Sequence, residues 1–118
     1  MIVKATREGL VGQKTSTGWR INNIVPFVAL PSEAALRQWV IVTNPANGKS
    51  IKALVLDVGP WNIDDDAYVF GTARPQSETG MDKFKRHTNY AGIDLGEFVW
   101  NYLGMKDNGN VDRKFLNT

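Results

Sequence analysis

The run Ser50–Val58, SIKALVLDV, alternates so that Ile51, Ala53 and Val55 share one side of a pleated segment, and Asp57 continues that row. A carboxylate extending an apolar row marks the place where a core opens onto a surface. Two other features invite a chemical reading. His87 is the only imidazole, flanked by Lys85, Arg86, Thr88 and Asn89, and reads either as a proton-transfer group or as a solvated surface histidine. Asp64-Asp65-Asp66 has the charge for calcium but lacks the alternating ligands and closing glutamate of an EF-hand loop, so it reads as a turn or helix start. There is no cysteine, which excludes disulfides, thiolate nucleophiles and Cys-ligated metals. HExxH, GxSxG, GxGxxG and Walker sequences are all missing, and the residues imply neither a metal nor a cofactor.

These residues sit in a chain of 118 residues with 42% hydrophobic and 22% charged side chains, the composition of one globular domain over 1–118 with a single modest core. The formal charge of +2 is too small for a strong field toward nucleic acid, and the cluster Lys83-Lys85-Arg86-His87 lacks a nucleic-acid-binding framework. Residues 1–60 carry seven basic side chains against three acidic ones, and residues 61–118 carry seven against nine. A mildly basic region beside a carboxylate-bearing one suits a polar, weakly charged substrate better than a phosphate backbone. No apolar run approaches the roughly 20 residues of a bilayer span, and MIVKATREGLVG lacks the apolar stretch of a signal peptide. A removed export signal or a neighbouring domain remains compatible with this.

The elements that must position the acids are short. Ile2–Arg7 reads as a first strand, and the Gly/Ser/Thr-rich stretch 9–18 as a loop. Val25–Leu30 is a short apolar segment, and Pro31–Leu36 forms one helical turn capped by Ser32. Gln38–Thr43 and Ser50–Val58 flank an Asn/Pro/Gly turn and predict a hairpin. Residues 59–92 lose periodicity, a long connector of the kind that binds or closes over ligands. Ile93–Leu95 is a brief strand, Gly96–Leu103 a short amphipathic helix, and Val111–Leu116 a closing strand. Trp19, Trp39 and Trp100 read as core residues. Together these elements predict a mainly β domain, a compact barrel with an inserted helix.

The segments Val42-Thr43-Asn44 with Asn47-Gly48-Lys49, Leu56-Asp57-Val58-Gly59-Pro60-Trp61, Gly92-Ile93-Asp94-Leu95 and Leu103-Gly104-Met105 resemble the double-psi β-barrel domain shared by rare lipoprotein A, the expansins and barwin. Gly109–Phe115 resembles its closing strand, and the likeness covers about residues 25–117. Trp61-Asn62, Tyr68, Gly71, Ala73-Arg74-Pro75 and Thr88-Asn89 resemble the longer-loop bacterial and phage variants. The resemblance implies a six-stranded double-psi β-barrel with one or two short helices and a long irregular loop at 59–92. It also implies a partner, a cell-wall glycan and above all peptidoglycan. The lytic members cleave between muramic acid and glucosamine without water and leave an anhydro sugar. Asp57 matches the aspartate of the Asp-x-Gly-Pro signature and would serve as general acid and base. Asp94 matches the second aspartate, either sharing the groove or capping the following helix. Trp61, Tyr68, Phe70 and Tyr90 could stack on sugar rings or form a satellite core. Arg74 could meet a peptide-stem carboxylate or anchor the loop, and Asn89 belongs to the same expected binding set.

Two departures from the lytic pattern stand out. The histidine before the Leu-Pro pair is missing from Phe27-Val28-Ala29-Leu30-Pro31, and the arginine after the signature aspartate is Val58. The first expectation is therefore a lytic-transglycosylase-like enzyme. The alternatives are a non-catalytic, expansin-like wall-binding module or a structural domain of a phage or secretion assembly. The implied location is extracellular, periplasmic or phage-associated, with attachment to other wall-targeting domains.

Overall fold

The computed structural model describes residues 1–116; residues 117 and 118, the end of the expected 1–118 domain, lie outside the described residues. Six strands form in chain order: β1 (Ile2–Arg7), β2 (Phe27–Leu30), β3 (Trp39–Thr43), β4 (Ser50–Val58), β5 (Ala91–Leu95) and β6 (Gly109–Phe115). Two short helices accompany them, α1 (Asp66–Val69) and α2 (Glu97–Tyr102), with 3-10 turns at Glu33–Ala35 and Gln76–Thr79. The strands close in the order β1-β5-β2-β4-β3-β6. The pairs β1/β5 and β2/β4 are parallel and the other pairs antiparallel. The fold is the mainly β, six-stranded double-psi barrel that the resemblance implied.

Local sequence accounts for the framework. Alternation in β1, β3 and β4 sends Val3, Ala5, Val40, Val42, Ala53 and Val55 into one core with Val28, Leu30, Ile93 and Leu95. The predicted hairpin pairs Thr43 with Ser50 through Trp39 with Leu54. Its turn is fixed to the end of α2, because the side chains of Asn44 and Asn47 both donate to the Leu103 carbonyl, at 2.8 and 2.9 Å. Ser32 caps its turn as expected, accepting from the Ala34 N–H at 3.2 Å. Gly96 admits α2 tightly against β2, since a Cβ there would lie 2.3 Å from the Phe27 ring.

Each parallel pair contains a one-residue slip. In β2/β4, Val28 faces Val55 but Ala29 faces Asp57, so Leu56 is extra. In β1/β5, Lys4 faces Ala91 but Ala5 faces Ile93, so Gly92 is extra. The first slip corrects the expected direction of Asp57. Phe27, Leu54 and Leu56 pack in a second cluster with Ile21, Trp19 and Val25 on the outer surface of the barrel. Ala29, two residues beyond Phe27, faces the same way, and Asp57 pairs with it. Asp57 therefore leaves the row of Ile51, Ala53 and Val55 and turns outward.

The aromatic assignments also change or sharpen. Trp39 is 47% exposed on the outside of β3, whereas Trp100 is buried and Trp19 packs edge-on against Phe27 in the second cluster. Phe70 stacks on Phe115 with centroids 5.2 Å apart, pinning the long connector to the barrel. Tyr68, expected to contact substrate, is fully buried and no sugar can reach it. Its hydroxyl donates to the Gly92 carbonyl at 2.9 Å and accepts from Arg113 Nε at 3.3 Å. Arg113 is itself buried, lies 4.6 Å over the Tyr68 ring, and donates to the carbonyls of Tyr68 and Val69. Replacing Tyr68 with Phe leaves a buried carbonyl and a guanidinium N–H short of a partner, at a cost of about 1–3 kcal/mol. Chemical denaturation of Tyr68→Phe checks this; an unchanged midpoint would show that the hydroxyl bears no structural load.

Candidate functional site

The closed barrel aligns the two predicted acids across its outer surface. Ala29 pairs with Asp57 of β4 on one edge and with Asp94 of β5 on the other, and Asp94 pairs in turn with Thr6 of β1. Asp57, Ala29, Asp94 and Thr6 thus form one lateral row over four adjacent strands. Two strand spacings put the aspartate Cα atoms roughly 10 Å apart with only a methyl group between them. Thr6 Oγ1 donates a short hydrogen bond to Asp94 Oδ1. Asp57 Oδ1 accepts from the backbone N–H of Ser16 at 3.0 Å and of Val58 at 2.9 Å. The Ser16 bond brings the 9–18 loop down over Asp57, and Thr17 Oγ1 reinforces it by donating to the Leu56 carbonyl at 3.2 Å.

A third carboxyl joins the row. Glu8 continues β1 by donating its N–H to the Leu95 carbonyl at 2.8 Å, and it lies two residues beyond Thr6 on the outer side. Its side chain reaches Asp57, yet Glu8 Oε2 is buried without a hydrogen-bond donor. Burial first, then contact with the Asp57 carboxyl and the charges of Asp57 and Asp94, push Glu8 up to about 9. Asp94 is raised to about 6, chiefly by burial, with the Thr6 hydroxyl opposing and the Asp57 charge adding to the rise. Sequence reading missed Glu8. It belongs to no motif, and the only signal was the polar alternation Lys4, Thr6, Glu8 opposite Val3 and Ala5. Its meeting with Asp57 depends on barrel closure.

Asp94 lines an open groove of about 510 Å³ whose other walls are Thr6, Arg7, Pro60, Trp61, Asn89 and Asn108. Asp57 and Glu8 do not line it. Asp94 Oδ2 faces the end of β4, where a Cβ on Gly59 would come within 4.0 Å of it. The groove's aromatic wall is held under strain, since Trp61 has φ 72 although it carries a Cβ. Its indole N–H donates to Asn89 Oδ1 at 2.9 Å, and Arg86 lies 5.9 Å from its ring while donating to its carbonyl. Three residues of the expected set, Asp94, Trp61 and Asn89, therefore share this groove.

Other expected residues lie elsewhere. Tyr90, exposed at φ 68, carries Lys4 Nζ 5.8 Å over its ring, outside the groove walls. Arg74 forms a bidentate ion pair with Glu78, at 2.8 and 2.6 Å, and donates to the Ile2 carbonyl, which is the anchoring role. His87 is exposed beside Met81. The three successive aspartates are engaged separately, Asp64 pairing with Lys83, Asp65 accepting from the Gln76 N–H, and Asp66 accepting from Ser32 at the start of α1. Among the described residues, no group of three or more His, Asp or Glu is arranged to hold a metal ion. No helix among them is long and apolar enough to cross a membrane.

The closed six-stranded barrel has the double-psi β-barrel fold. The chain belongs to the family described as Domain of unknown function (DUF8814), whose model matches residues 1–114. No curated protein sequence matches it. Among solved structures, the Streptomyces papain inhibitor shares the fold with a TM-score of 0.52 and 16% identity over 96% of this chain and 92% of that one. Cerato-platanin 3 from M. perniciosa does so with a TM-score of 0.55 and 9% identity over 99% of this chain and 95% of that one. At these identities the likeness shows the fold.

The carboxyl row fixes how stability depends on pH. A folded Glu8 keeps a proton that the unfolded chain releases near 4.5, so the native state binds more protons between about 4.5 and 9. Stability present at low pH is therefore lost as pH rises through that window, and Asp94 adds a smaller loss between 3.8 and about 6. Glu8→Gln is expected to flatten the decline above pH 6 and to be more stable than wild type at pH 8.5 by at least about 1 kcal/mol. Urea unfolding across this range checks the sign; wild-type stability that rises from pH 6 to 8.5 would contradict it.

Proposed function

We propose that this protein is a wall-glycan-directed enzyme that cleaves peptidoglycan without water, and that Asp94 is its general acid and base. The observation that carries the reading is that Asp94 alone of the three carboxyls lines the groove. It shares that lining with Trp61 and Asn89, and its ionisation is raised to about 6. A group half-protonated near pH 6 can act in both directions within one turnover. In the first half, the Asp94 proton passes to the glycosidic oxygen as the bond from that oxygen to C1 breaks. The sugar's own 6-hydroxyl oxygen then bonds to C1, its proton returns to Asp94, and the anhydro sugar leaves. Asp57 lies one alanine away along the row, outside the groove lining. Roles are thus divided differently from the sequence expectation, in which Asp57 itself carried the proton. Trp61 offers a ring face and Asn89 a polar side chain for orientation.

Thr6 and Asn108 extend the polar lining, which would take over contacts that lytic rare lipoprotein A proteins make through the histidine and arginine missing here. On this reading the protein works where wall glycan is exposed, outside the cytoplasm or as part of a phage.

Purified sacculi incubated with wild type are expected to release anhydro-muropeptides, resolved by mass. Asp94→Asn should lower that rate by about 10²–10⁴-fold. For the free protein, kcat/KM should fall tenfold per pH unit above about 6, as the acid form of Asp94 is lost. Absence of products, with both proteins pelleting on the sacculi, would replace the enzyme with a wall-binding module.

A further inference from the structure

Glu8 is the one buried acid oxygen without a donor among the described residues, and nothing in the groove chemistry so far uses it. Its surroundings are narrowly defined. The backbone N–H of Glu8 is bound to Leu95, which fixes the base of the side chain at the end of β1. The charged groups acting on it are Asp57 from β4 and Asp94 from β5, both acidic. Arg7, next to it in the chain, is paired with Glu97 of α2 at 2.6 and 2.9 Å. On the other side of the contact, Asp57 Oδ1 is already occupied by the Ser16 and Val58 N–H groups. Two ionised carboxylates meeting in this way would set lone pairs against lone pairs with no cation between them. A proton on one of them turns the contact into a hydrogen bond.

We propose that Glu8 is a positioning residue: in its acid form it donates to Asp57 and locks that carboxylate beside Asp94. This deepens the glycan-cleaving reading and rests on it for the chemistry in the groove. Its consequence is a division of labour within the row. Glu8 holds a proton that does not move during turnover, Asp57 is the oriented acceptor, and Asp94 exchanges its proton with substrate. The Asp57 charge acts on both Glu8 and Asp94, so a change at Glu8 is transmitted to the groove without any contact between Glu8 and the sugar.

The test is a carboxyl ¹³C NMR titration of wild type, Glu8→Gln and Glu8→Leu, with sacculus turnover measured on the same samples. Glu8 of wild type should remain protonated through pH 7. Glu8→Gln, which keeps a neutral donor, should leave the Asp94 midpoint in place and kcat within about threefold of wild type. Glu8→Leu should move the Asp94 midpoint by half a unit or more and lower kcat at least tenfold with little change in KM. A Glu8 that titrates near 4.5, or a Gln variant that behaves like the Leu variant, would overturn the assignment. If Glu8→Leu does not fold, the wild-type and Gln titrations still decide it. If wild type releases no product, the glycan-cleaving reading fails while the titration separately decides whether Glu8 holds Asp57.

Discussion

Ala29 is paired on one edge with the strand of Asp57 and on the other with the strand of Asp94, and the candidate site depends on that double pairing. Without the slip at Leu56, Asp57 would face the core in line with Val55, where an ionised carboxylate could not be tolerated. With it, the strand that supplies Ala53 and Val55 to the core also supplies a carboxylate to the outer surface. The second parallel pair repeats the device with Gly92 as the extra residue, immediately before Ile93 and Asp94. Glycine suits that place because a Cβ there would fall 2.9 Å from both the Tyr68 hydroxyl and the Pro75 ring. The buried Tyr68–Arg113 pair thus braces the slipped segment of β5 from within while Asp94 lies on its outer side.

Crowding acids on one face has an electrostatic consequence. Glu8, Asp57 and Asp94 have no basic side chain acting among them, since Arg7 is engaged by Glu97. Such a group relieves its repulsion by holding protons, and burial decides which members hold them. Burial is the first cause of the raised ionisations of Glu8 and Asp94, and the charges of their acidic neighbours add to it. Strain at Trp61 has a similar origin in assembly. Its positive φ is maintained by bonds from its indole to Asn89 and from Arg86 to its carbonyl, so the connector holds an aromatic face at the groove.

Much of this was legible in the sequence because it was local. The strands, the Ser32 cap, the hairpin and the short helix before Gly104 follow from alternation, capping and turn residues, and the two aspartates follow from the motifs around them. What was not legible depended on closure or on a register slip. The direction of Asp57 required knowing that Leu56 is extra, and the action of Asp57 on Glu8 required knowing the strand order that sets β1 and β4 in one barrel wall. Tyr68 looked like a loop aromatic, but its loop folds back as α1 and buries it over Arg113. Trp39 alternates correctly with Val40, yet it lies on the face that no second layer covers.

The central claim is that the groove between Trp61 and Asp94 receives glycan. The indole N–H of Trp61, bonded to Asn89, is a reporter inside that groove. The most direct measurement is amide and indole chemical-shift mapping during titration with soluble peptidoglycan fragments. Saturable shifts centred on the Trp61 indole, Asn89 and Thr6 are the predicted result. Shifts confined to another face, or none at millimolar fragment, would contradict the account.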